Sequence, residues 1–188
     1  MPQTEMTCHS PATEQAPDGA TRIALIGSPN GGKTSIFNQL TGLHAKTGNY
    51  PGVTVSRSEG VARIHDHTFA IEDLPGTYSL SPISPDEQVV VDVLDGRMDQ
   101  VSAPDALVVV ADATALRRSL LLLAEVLPRH LPTAVVVTMT DELRRRQGSL
   151  DVTALSQALG VPVVAVVANR GIGIGELRNL LTTWHDWD

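Results

Sequence analysis

The sequence that decides the fold reads Gly-Ser-Pro-Asn-Gly-Gly-Lys-Thr over residues 27–34, between a strand-like run at residues 22–26 and a helix-like run at residues 33–40. This is the G-x-x-x-x-G-K-[ST] pattern in the strand–loop–helix setting that its chemistry requires. Glycines let successive backbone N–H groups turn towards phosphate oxygens, and the N-terminus of the helix adds a partial positive charge. The stretch therefore predicts a phosphate-binding loop, with Lys33 on the terminal phosphates and the Thr34 hydroxyl on Mg²⁺.

Runs rich in valine and isoleucine alternate with helical patterns along the rest of the chain. We predict further strands at residues 69–74, 106–111, 134–137 and 162–167, because continuous apolar runs suit strands that are buried on both faces of a parallel sheet. A hairpin is expected to turn at residues 65–66. The alternation predicts a three-layer α/β fold with a mostly parallel sheet, one antiparallel edge strand, and the ligand at the carboxyl ends of the strands.

Composition bounds the organisation and the partners of the chain. Residues 1–20, rich in Pro, Thr and Glu, predict a disordered tail, and residues 21–188 predict a single domain. The net charge of −7 argues against nucleic acid as a partner. The apolar runs fall far short of the roughly 20 residues that span a bilayer, so we do not expect this chain to insert into a membrane. The only cysteine, Cys8, cannot form an internal disulfide, which is compatible with a reducing, cytoplasmic compartment.

Two further motifs follow the phosphate-binding loop in the order expected of a nucleotide switch. Asp73-Leu74-Pro75-Gly76 closes a predicted strand, and we expect Asp73 to hold Mg²⁺ through water and the Gly76 N–H to contact the γ-phosphate. Residues 48–54 form a Gly- and Pro-rich loop that ends in Thr54, a further Mg²⁺ ligand when the γ-phosphate is present. The alternatives are an ordinary turn at Asp73 and a plain surface loop at residues 48–54.

Recognition of the base is predicted at the ends of the last two strands. Asp141, in the stretch Thr-Met-Thr-Asp that begins at Thr138, can accept hydrogen bonds from guanine N1 and N2, a pairing that adenine does not offer. The alternative is that Asp141 is only the N-cap of the next helix. After the last strand, the backbone N–H of Ala168 is placed to donate to guanine O6.

A family resemblance comes from three stretches taken together: Gly-x-Pro-Asn-x-Gly-Lys-Thr at residues 27–34, Gly-Asn-Tyr-Pro-Gly-Val-Thr-Val at residues 48–55, and Asp-Leu-Pro-Gly-Thr-Tyr-Ser-Leu at residues 73–80. Over about residues 21–183 the chain closely resembles the cytoplasmic G domain of the FeoB ferrous-iron transporters. The resemblance implies a Ras-like fold, GTP and GDP as ligands, Mg²⁺, and regulation of iron transport at the cytoplasmic face of the bacterial inner membrane. It also implies a membrane transporter portion as partner, in cis or in trans, and a K⁺ ion held against the phosphates by Asn30.

The chain departs from the family's usual motifs at two positions, and at a third it differs from Ras-like enzymes. Thr138 stands where the guanine motif normally has Asn, Val167 where a later motif has Ser, and Thr77 where Ras-like enzymes commonly have Gln. An asparagine at position 138 would bond both guanine N7 and the backbone of the phosphate-binding loop, so threonine predicts at least one lost bond and weak nucleotide binding. Val167 lacks the hydroxyl with which a serine would fix the neighbouring loop, and we expect it to loosen the site further. Thr77 predicts slow GTP hydrolysis. Two other functions stay open: a degenerate module that acts through protein contacts, and a P-loop kinase, which would leave Asp141 unexplained.

The expected site residues fall into three groups. Those expected to contact the nucleotide are Gly27, Asn30, Gly31, Gly32, Lys33, Thr34, Ser35, Thr138, Asp141 and Ala168. Those expected to act in hydrolysis are Lys33, Thr54 and Gly76. The expected metal ligands are Thr34, Thr54 and Asp73 for Mg²⁺ and Asn30 for K⁺.

Overall fold

The computed structural model of the protein describes residues 16–17, 19–43 and 45–187. Most of the predicted disordered tail, with Cys8, lies outside these residues. Within the described part of the chain, the strands are β1 (Thr21–Gly27), β2 (Ala45–Asn49), β3 (Ser56–Ile64), β4 (His67–Asp73), β5 (Ala106–Asp112), β6 (Thr133–Thr138) and β7 (Val163–Ala165). The α-helices are α1 (Lys33–Thr41), α2 (Pro85–Leu94), α3 (Leu116–Val126), α4 (Thr140–Arg145), α5 (Val152–Leu159) and α6 (Ile174–Thr182).

The strands form one sheet in the order β2-β3-β4-β1-β5-β6-β7. β1 runs parallel to both β4 and β5, and β5, β6 and β7 continue in the same direction. β3 is antiparallel to β4 on one side and to β2 on the other, and the chain turns between β3 and β4 at residues 65–66. The predicted mostly parallel α/β sheet is therefore confirmed, together with its hairpin.

The edge strand β2 is the element that the sequence pattern did not predict. Its five residues, Ala-Lys-Thr-Gly-Asn, contain no apolar alternation, and four of them are exposed. It lies outside β3, so the one reversed strand of the sheet is second from the edge. Residues 48–49, which we expected in a loop, are the end of this strand.

The sheet is covered by helices on both faces, which makes three layers. One apolar layer packs the inward side chains of α2, α3 and α5 against one face, and the other packs α1 and α6 against the opposite face. Neighbouring residues of β5 alternate between the two layers: Leu107 and Val109 face the first, and Val108 and Val110 face the second. Each fully buried aliphatic side chain contributes about 1.5–3 kcal/mol relative to exposure. This burial on both faces explains the continuous apolar runs in the sequence.

The helix ends follow from capping chemistry. α1 ends at Gly42, whose φ of 63° is the left-handed conformation that glycine adopts at little cost. α2 begins after Ser84, whose side chain accepts a hydrogen bond from the Glu87 N–H at 3.3 Å. Glu87 reaches back to the Ile83 N–H at 3.0 Å, one residue beyond the usual partner in a capping box. No helix in the described residues is long and apolar enough to cross a membrane.

Candidate nucleotide-binding site

The phosphate-binding loop joins β1 to α1 through two residues with positive φ. Asn30 has φ 63° and Gly32, the N-cap of α1, has φ 89°. The Gly31 N–H donates to the Ser28 carbonyl at 3.2 Å, which closes the turn. Because the first helical N–H groups have no partner within the helix, the loop and the start of α1 offer donors suited to an anion.

A cleft of about 410 Å³ opens over this loop, within the size range of small-molecule sites. It is lined by Ser28, Pro29, Asn30, Gly32, Lys33, Thr34, Ser35, Gly76 and Met139. The structure thus brings the predicted phosphate-binding residues together with Gly76, from a motif about 40 residues later, and with Met139, which lies two residues before Asp141. Sequence reasoning missed Met139 as a lining residue, because an apolar side chain next to a predicted base-binding loop gives no distinct signal.

Asp73 joins the phosphate-binding loop to the end of β4. Its carboxylate forms a short ion pair with the Lys33 ammonium through Oδ1, and it accepts a hydrogen bond from the Thr34 hydroxyl at 2.8 Å through Oδ2. The parallel pairing of β1 with β4 places Asp73 opposite Leu25, at the carboxyl edge of the sheet. The side chains of Lys33 and Asp73 are only 9% and 8% exposed.

The same residues fit a Mg²⁺ ion. Thr34 and Asp73 supply a hydroxyl and a carboxylate oxygen, which are the hard oxygen donors that Mg²⁺ prefers, and both groups already converge. Asn30 lines the same cleft, and its amide oxygen is a suitable ligand for K⁺. The ion pair with Asp73 keeps the Lys33 charge inside the cleft, where an anionic phosphate would compete with the carboxylate for it.

Position 76 needs a glycine because its backbone lies very close to Pro29 of the phosphate-binding loop. A Cβ atom at this position would lie 2.8 Å from Cγ of Pro29, closer than real Cβ contacts, and 3.0 Å from its Cα. The next residue fixes the approach, since the Thr77 N–H donates to the Gly27 carbonyl at 3.0 Å. The Thr77 side chain is fully buried, and its hydroxyl donates to the Ser79 carbonyl at 2.6 Å. This hydroxyl therefore does not face the cleft.

Of the predicted metal ligands, Thr54 is the one that the structure does not bring to the cleft, and Asp141 and Ala168 are predicted nucleotide contacts that do not line it either. Thr54 is exposed and lines a separate surface depression with Asn49, Val53 and Pro85. The reason is the β2–β3 hairpin, in which the Tyr50 N–H donates to the Val55 carbonyl at 2.9 Å and closes a four-residue loop around Thr54. In this arrangement Thr54 cannot share a metal with Thr34 and Asp73.

Thr138 links the end of β6 to the phosphate-binding loop. Its hydroxyl lies 2.6 Å from the Gly31 carbonyl oxygen and 3.3 Å from that of Ala111, and the residue is buried. Of the two bonds expected of an asparagine here, threonine thus retains the one to the loop. A hydroxyl has a single hydrogen, so while it donates to Gly31 it has none left for a second acceptor.

The structure removes the alternative assignment of Asp141 as a helix cap. The N-cap of α4 is Met139, with φ 56° and no side-chain bond, and Asp141 is the second residue of the helix. The Asp141 carboxylate lies 3.8 Å from the Arg145 guanidinium, too far for a hydrogen bond. Its side chain is 26% exposed, so its oxygens remain accessible to a further donor.

Ala168 lies in a loop that its own backbone closes. Val167 and Ile172 exchange two backbone hydrogen bonds, at 2.9 and 3.3 Å, and Ala168 begins a short 3-10 turn inside this pairing. The expected loosening from valine in place of serine is therefore opposed by the main chain. Ala168 is buried and packs in the apolar layer of α1 and α6.

A mostly parallel sheet with a glycine-rich loop between its central strand and a helix, facing a lysine, a threonine and an aspartate, defines a P-loop nucleotide-binding domain. Residues 21–181 match the family model of Ferrous iron transport protein B. The chain belongs to this family, and the resemblance stated from the motifs is confirmed.

The most similar proteins include both curated relatives and solved structures. The Fe(2+) transporter FeoB of Leptospira biflexa is 43% identical over 160 residues, which are 85% of this chain and 23% of that protein. The crystal structure of the G domain of the T. maritima FeoB iron transporter matches with a TM-score of 0.79 and 37% identity, over 89% of this chain and 99% of that chain. The cytosolic domain of that transporter gives a TM-score of 0.83 in a GDP form, with 36% identity over 92% of this chain and 66% of that chain. The GMPPNP form of the same cytosolic domain gives a TM-score of 0.82, with 37% identity over 88% of this chain and 64% of that chain. The chain thus has the fold of a P-loop GTPase domain and spans about a quarter of the curated relative.

Proposed function

We propose that the chain is a GTP-binding switch domain that hydrolyses GTP slowly and regulates ferrous-iron transport. The observation that carries the proposal is the convergence of Lys33, Thr34 and Asp73 from two motifs at one cleft, beside Gly76. The GDP and GMPPNP forms of the T. maritima relative support guanine nucleotides as the ligands.

In this proposal, each predicted site residue has a task. The backbone of residues 27–32 and the Lys33 ammonium hold the phosphates, and Thr34 and Asp73 hold Mg²⁺, which neutralises phosphate charge when bound. The Gly76 N–H contacts the γ-phosphate, and Thr54 joins Thr34 and Asp73 once its loop has moved. Asn30 offers an oxygen to K⁺, an ion that would supply positive charge where other enzymes use an arginine.

Guanine selectivity rests on Asp141 in this proposal. A carboxylate accepts from both N1 and N2 of guanine, and the cap assignment that would otherwise explain Asp141 does not hold. The Thr138 hydroxyl is committed to the phosphate-binding loop. We therefore expect weak binding and fast release of GDP, with selection for guanine over adenine intact.

Slow turnover follows from Thr77. Because its hydroxyl is buried and bonded to the Ser79 carbonyl, it is not placed to orient an attacking water. Hydrolysis then depends on positioning and charge neutralisation alone.

The proposal includes a partner for the switch, a membrane transporter portion. Relatives of this chain are Fe(2+) transporters about four times as long, so we infer that the switch acts on a membrane transporter portion, in cis or in trans. It would act at the cytoplasmic face of the inner membrane, where GTP is available.

The proposal is tested with the two lysines of the chain. Lys33→Ala should abolish GDP and GTP binding, because it removes the cation from the cleft, whereas Lys46→Ala, on the exposed face of β2, should bind like the parent. Nucleotide affinity is measured by titration calorimetry and GTP turnover by phosphate release. Binding of GDP by Lys33→Ala at parental affinity would refute the site. Poor nucleotide binding by the parent, with little or no GTP turnover, would favour the degenerate module that acts through protein contacts.

A further inference from the structure

A buried polar cluster joins the segment after β2 to the strand that carries Asp73. The Tyr50 hydroxyl donates to Oε1 of Glu72 at 2.8 Å, and Nε of Arg57 donates to the same oxygen at 2.9 Å. The Arg57 guanidinium also lies 5.8 Å from the centroid of the Tyr50 ring. Glu72 is the residue before Asp73 on β4, so the cluster is one residue from the candidate magnesium ligands.

The bond between Tyr50 and Glu72 is of a strong kind. Burial, reinforced by the neighbouring Glu72 carboxylate, holds the pKa of the Tyr50 hydroxyl far above its usual value, so the hydroxyl remains a donor. Burial acts to lower the pKa of Arg57, but its bonds to Glu72 and Glu59 outweigh this and raise it. Tyr50 therefore donates to a carboxylate that is fixed by a permanent cation, in surroundings that exclude water.

Tyr50 is also the anchor of an otherwise exposed segment. Among residues 46–54 it is the only buried side chain, at 1% exposure. Its N–H bond to the Val55 carbonyl closes the loop of residues 51–54. Because Val55 is buried and accepts this bond, its chain neighbour Thr54 is held at the closed end of the hairpin for as long as the closure stands.

We propose that Tyr50 and Glu72 are positioning residues, a latch that keeps Thr54 outside the phosphate cleft and that opens when a nucleoside triphosphate recruits Thr54. This inference rests on the role given to Thr54 in the proposed function. A nucleotide shifts a conformational equilibrium only through its different affinity for the two states. The latch therefore weakens binding of the triphosphate, which needs Thr54, and leaves binding of the diphosphate unchanged.

The test removes only the hydroxyl, with Tyr50→Phe. Glu72 keeps its bonds to Arg57 and to Arg22, the latter at 3.4 Å, so no carboxylate is left without a partner, and the ring still fills its place. We expect the ratio of GMPPNP affinity to GDP affinity to rise about tenfold. The control is Tyr78→Phe, at the only other tyrosine of the chain, a partly exposed ring near Arg118, and it should leave the ratio unchanged.

Thr54→Ala separates the latch from the proposed function. If Thr54 serves the triphosphate, Thr54→Ala alone lowers the affinity for GMPPNP and not for GDP, and Tyr50→Phe has no further effect on the ratio in that background. Unchanged GMPPNP affinity in Thr54→Ala would overturn the role of Thr54 itself. A fall in Thr54→Ala together with an unchanged or lower ratio in Tyr50→Phe would overturn the latch alone.

A spectroscopic measurement on the parent tests the same step without a variant at Tyr50. Release of a buried, carboxylate-bonded tyrosine into water shifts its absorbance to shorter wavelength. GMPPNP should produce this shift in the parent and in Tyr78→Phe, and GDP should not. A spectrum that GMPPNP leaves unchanged in both proteins would overturn the latch.

Discussion

The Thr138 hydroxyl lies 2.6 Å from the carbonyl oxygen of Gly31, across 107 residues of chain. This bond holds the end of β6 against the phosphate-binding loop. The approach is close, since a Cβ atom placed on Gly32 would lie 3.3 Å from the Thr138 methyl group. One buried threonine therefore joins the phosphate-binding loop to the segment that leads into Asp141.

Replacing Thr138 by asparagine should slow the release of GDP. The amide carries two hydrogens, so it can bond Gly31 and still donate to guanine N7. One such bond is worth roughly 1–3 kcal/mol, or about 5- to 150-fold, and should act chiefly on the off-rate. Stopped-flow release of a fluorescent GDP analogue measures it. Thr138→Val, which keeps the shape but leaves the Gly31 carbonyl without this partner, should instead speed release. An unchanged or faster off-rate in Thr138→Asn would contradict the loss of the N7 bond.

Asp141→Asn should change the base that the domain selects. The amide cannot accept from both N1 and N2 of guanine, but it can donate to the oxygen at position 2 of xanthine. We expect the affinity for GTP to fall by at least tenfold and the affinity for xanthosine nucleotides to rise. Competition against a fluorescent GDP analogue measures both. Glu142→Gln is the matched control, because this neighbouring carboxylate pairs with Arg145 and Arg146. Parental GTP affinity in Asp141→Asn would exclude it from base recognition.

Gly76→Ala should weaken GMPPNP more than GDP. The added methyl group would meet Pro29 at 2.8 Å and push the Gly76 N–H away from the γ-phosphate position. The loss should be roughly tenfold, equivalent to one charge-assisted hydrogen bond. Gly175→Ala, in α6 with nothing within 4 Å of the new atom, should bind like the parent and melt no lower. Equal losses for the two nucleotides would argue against a contact specific to the γ-phosphate.

Turnover should be faster in KCl than in NaCl at equal ionic strength. Asn30 lies in the cleft with a side-chain oxygen, and Asn30→Ala should erase the difference between the two salts. Phosphate release under single-turnover conditions gives the rates. Asn179→Ala, at an exposed position of α6, serves as the comparison and should retain the full salt effect. Equal rates for the parent in both salts would remove the cation role.

Sequence reasoning succeeded where local chemistry decides the structure. Strands such as β5 are apolar throughout, and the glycines around Lys33 can only serve a tight turn before a helix. Ser84, a preferred N-cap residue, precedes α2, and Gly160, with φ 72°, follows the end of α5. These signals lie within a few residues of the element that they specify.

It failed where the structure depends on distant pairing. β2 is polar and becomes a strand only because β3 lies beside it, and this pairing carries Thr54 away from the cleft. The bond from Thr138 to Gly31 replaces one that an asparagine was expected to make, and no local pattern indicates it. Glu72 did leave a trace, since it is a charged residue that directly follows the apolar residues 69–71 inside a predicted strand.

The two edge strands of the sheet, β2 and β7, affect whether copies of the protein associate at high concentration. An exposed strand edge presents unpaired backbone groups that can template association with another copy, and proteins suppress this with short edge strands and lysine. β7 has three residues, and β2 has five, with Lys46 at its second position and no apolar residue after Ala45. The polarity that hid β2 from prediction thus protects the sheet from edge-to-edge aggregation.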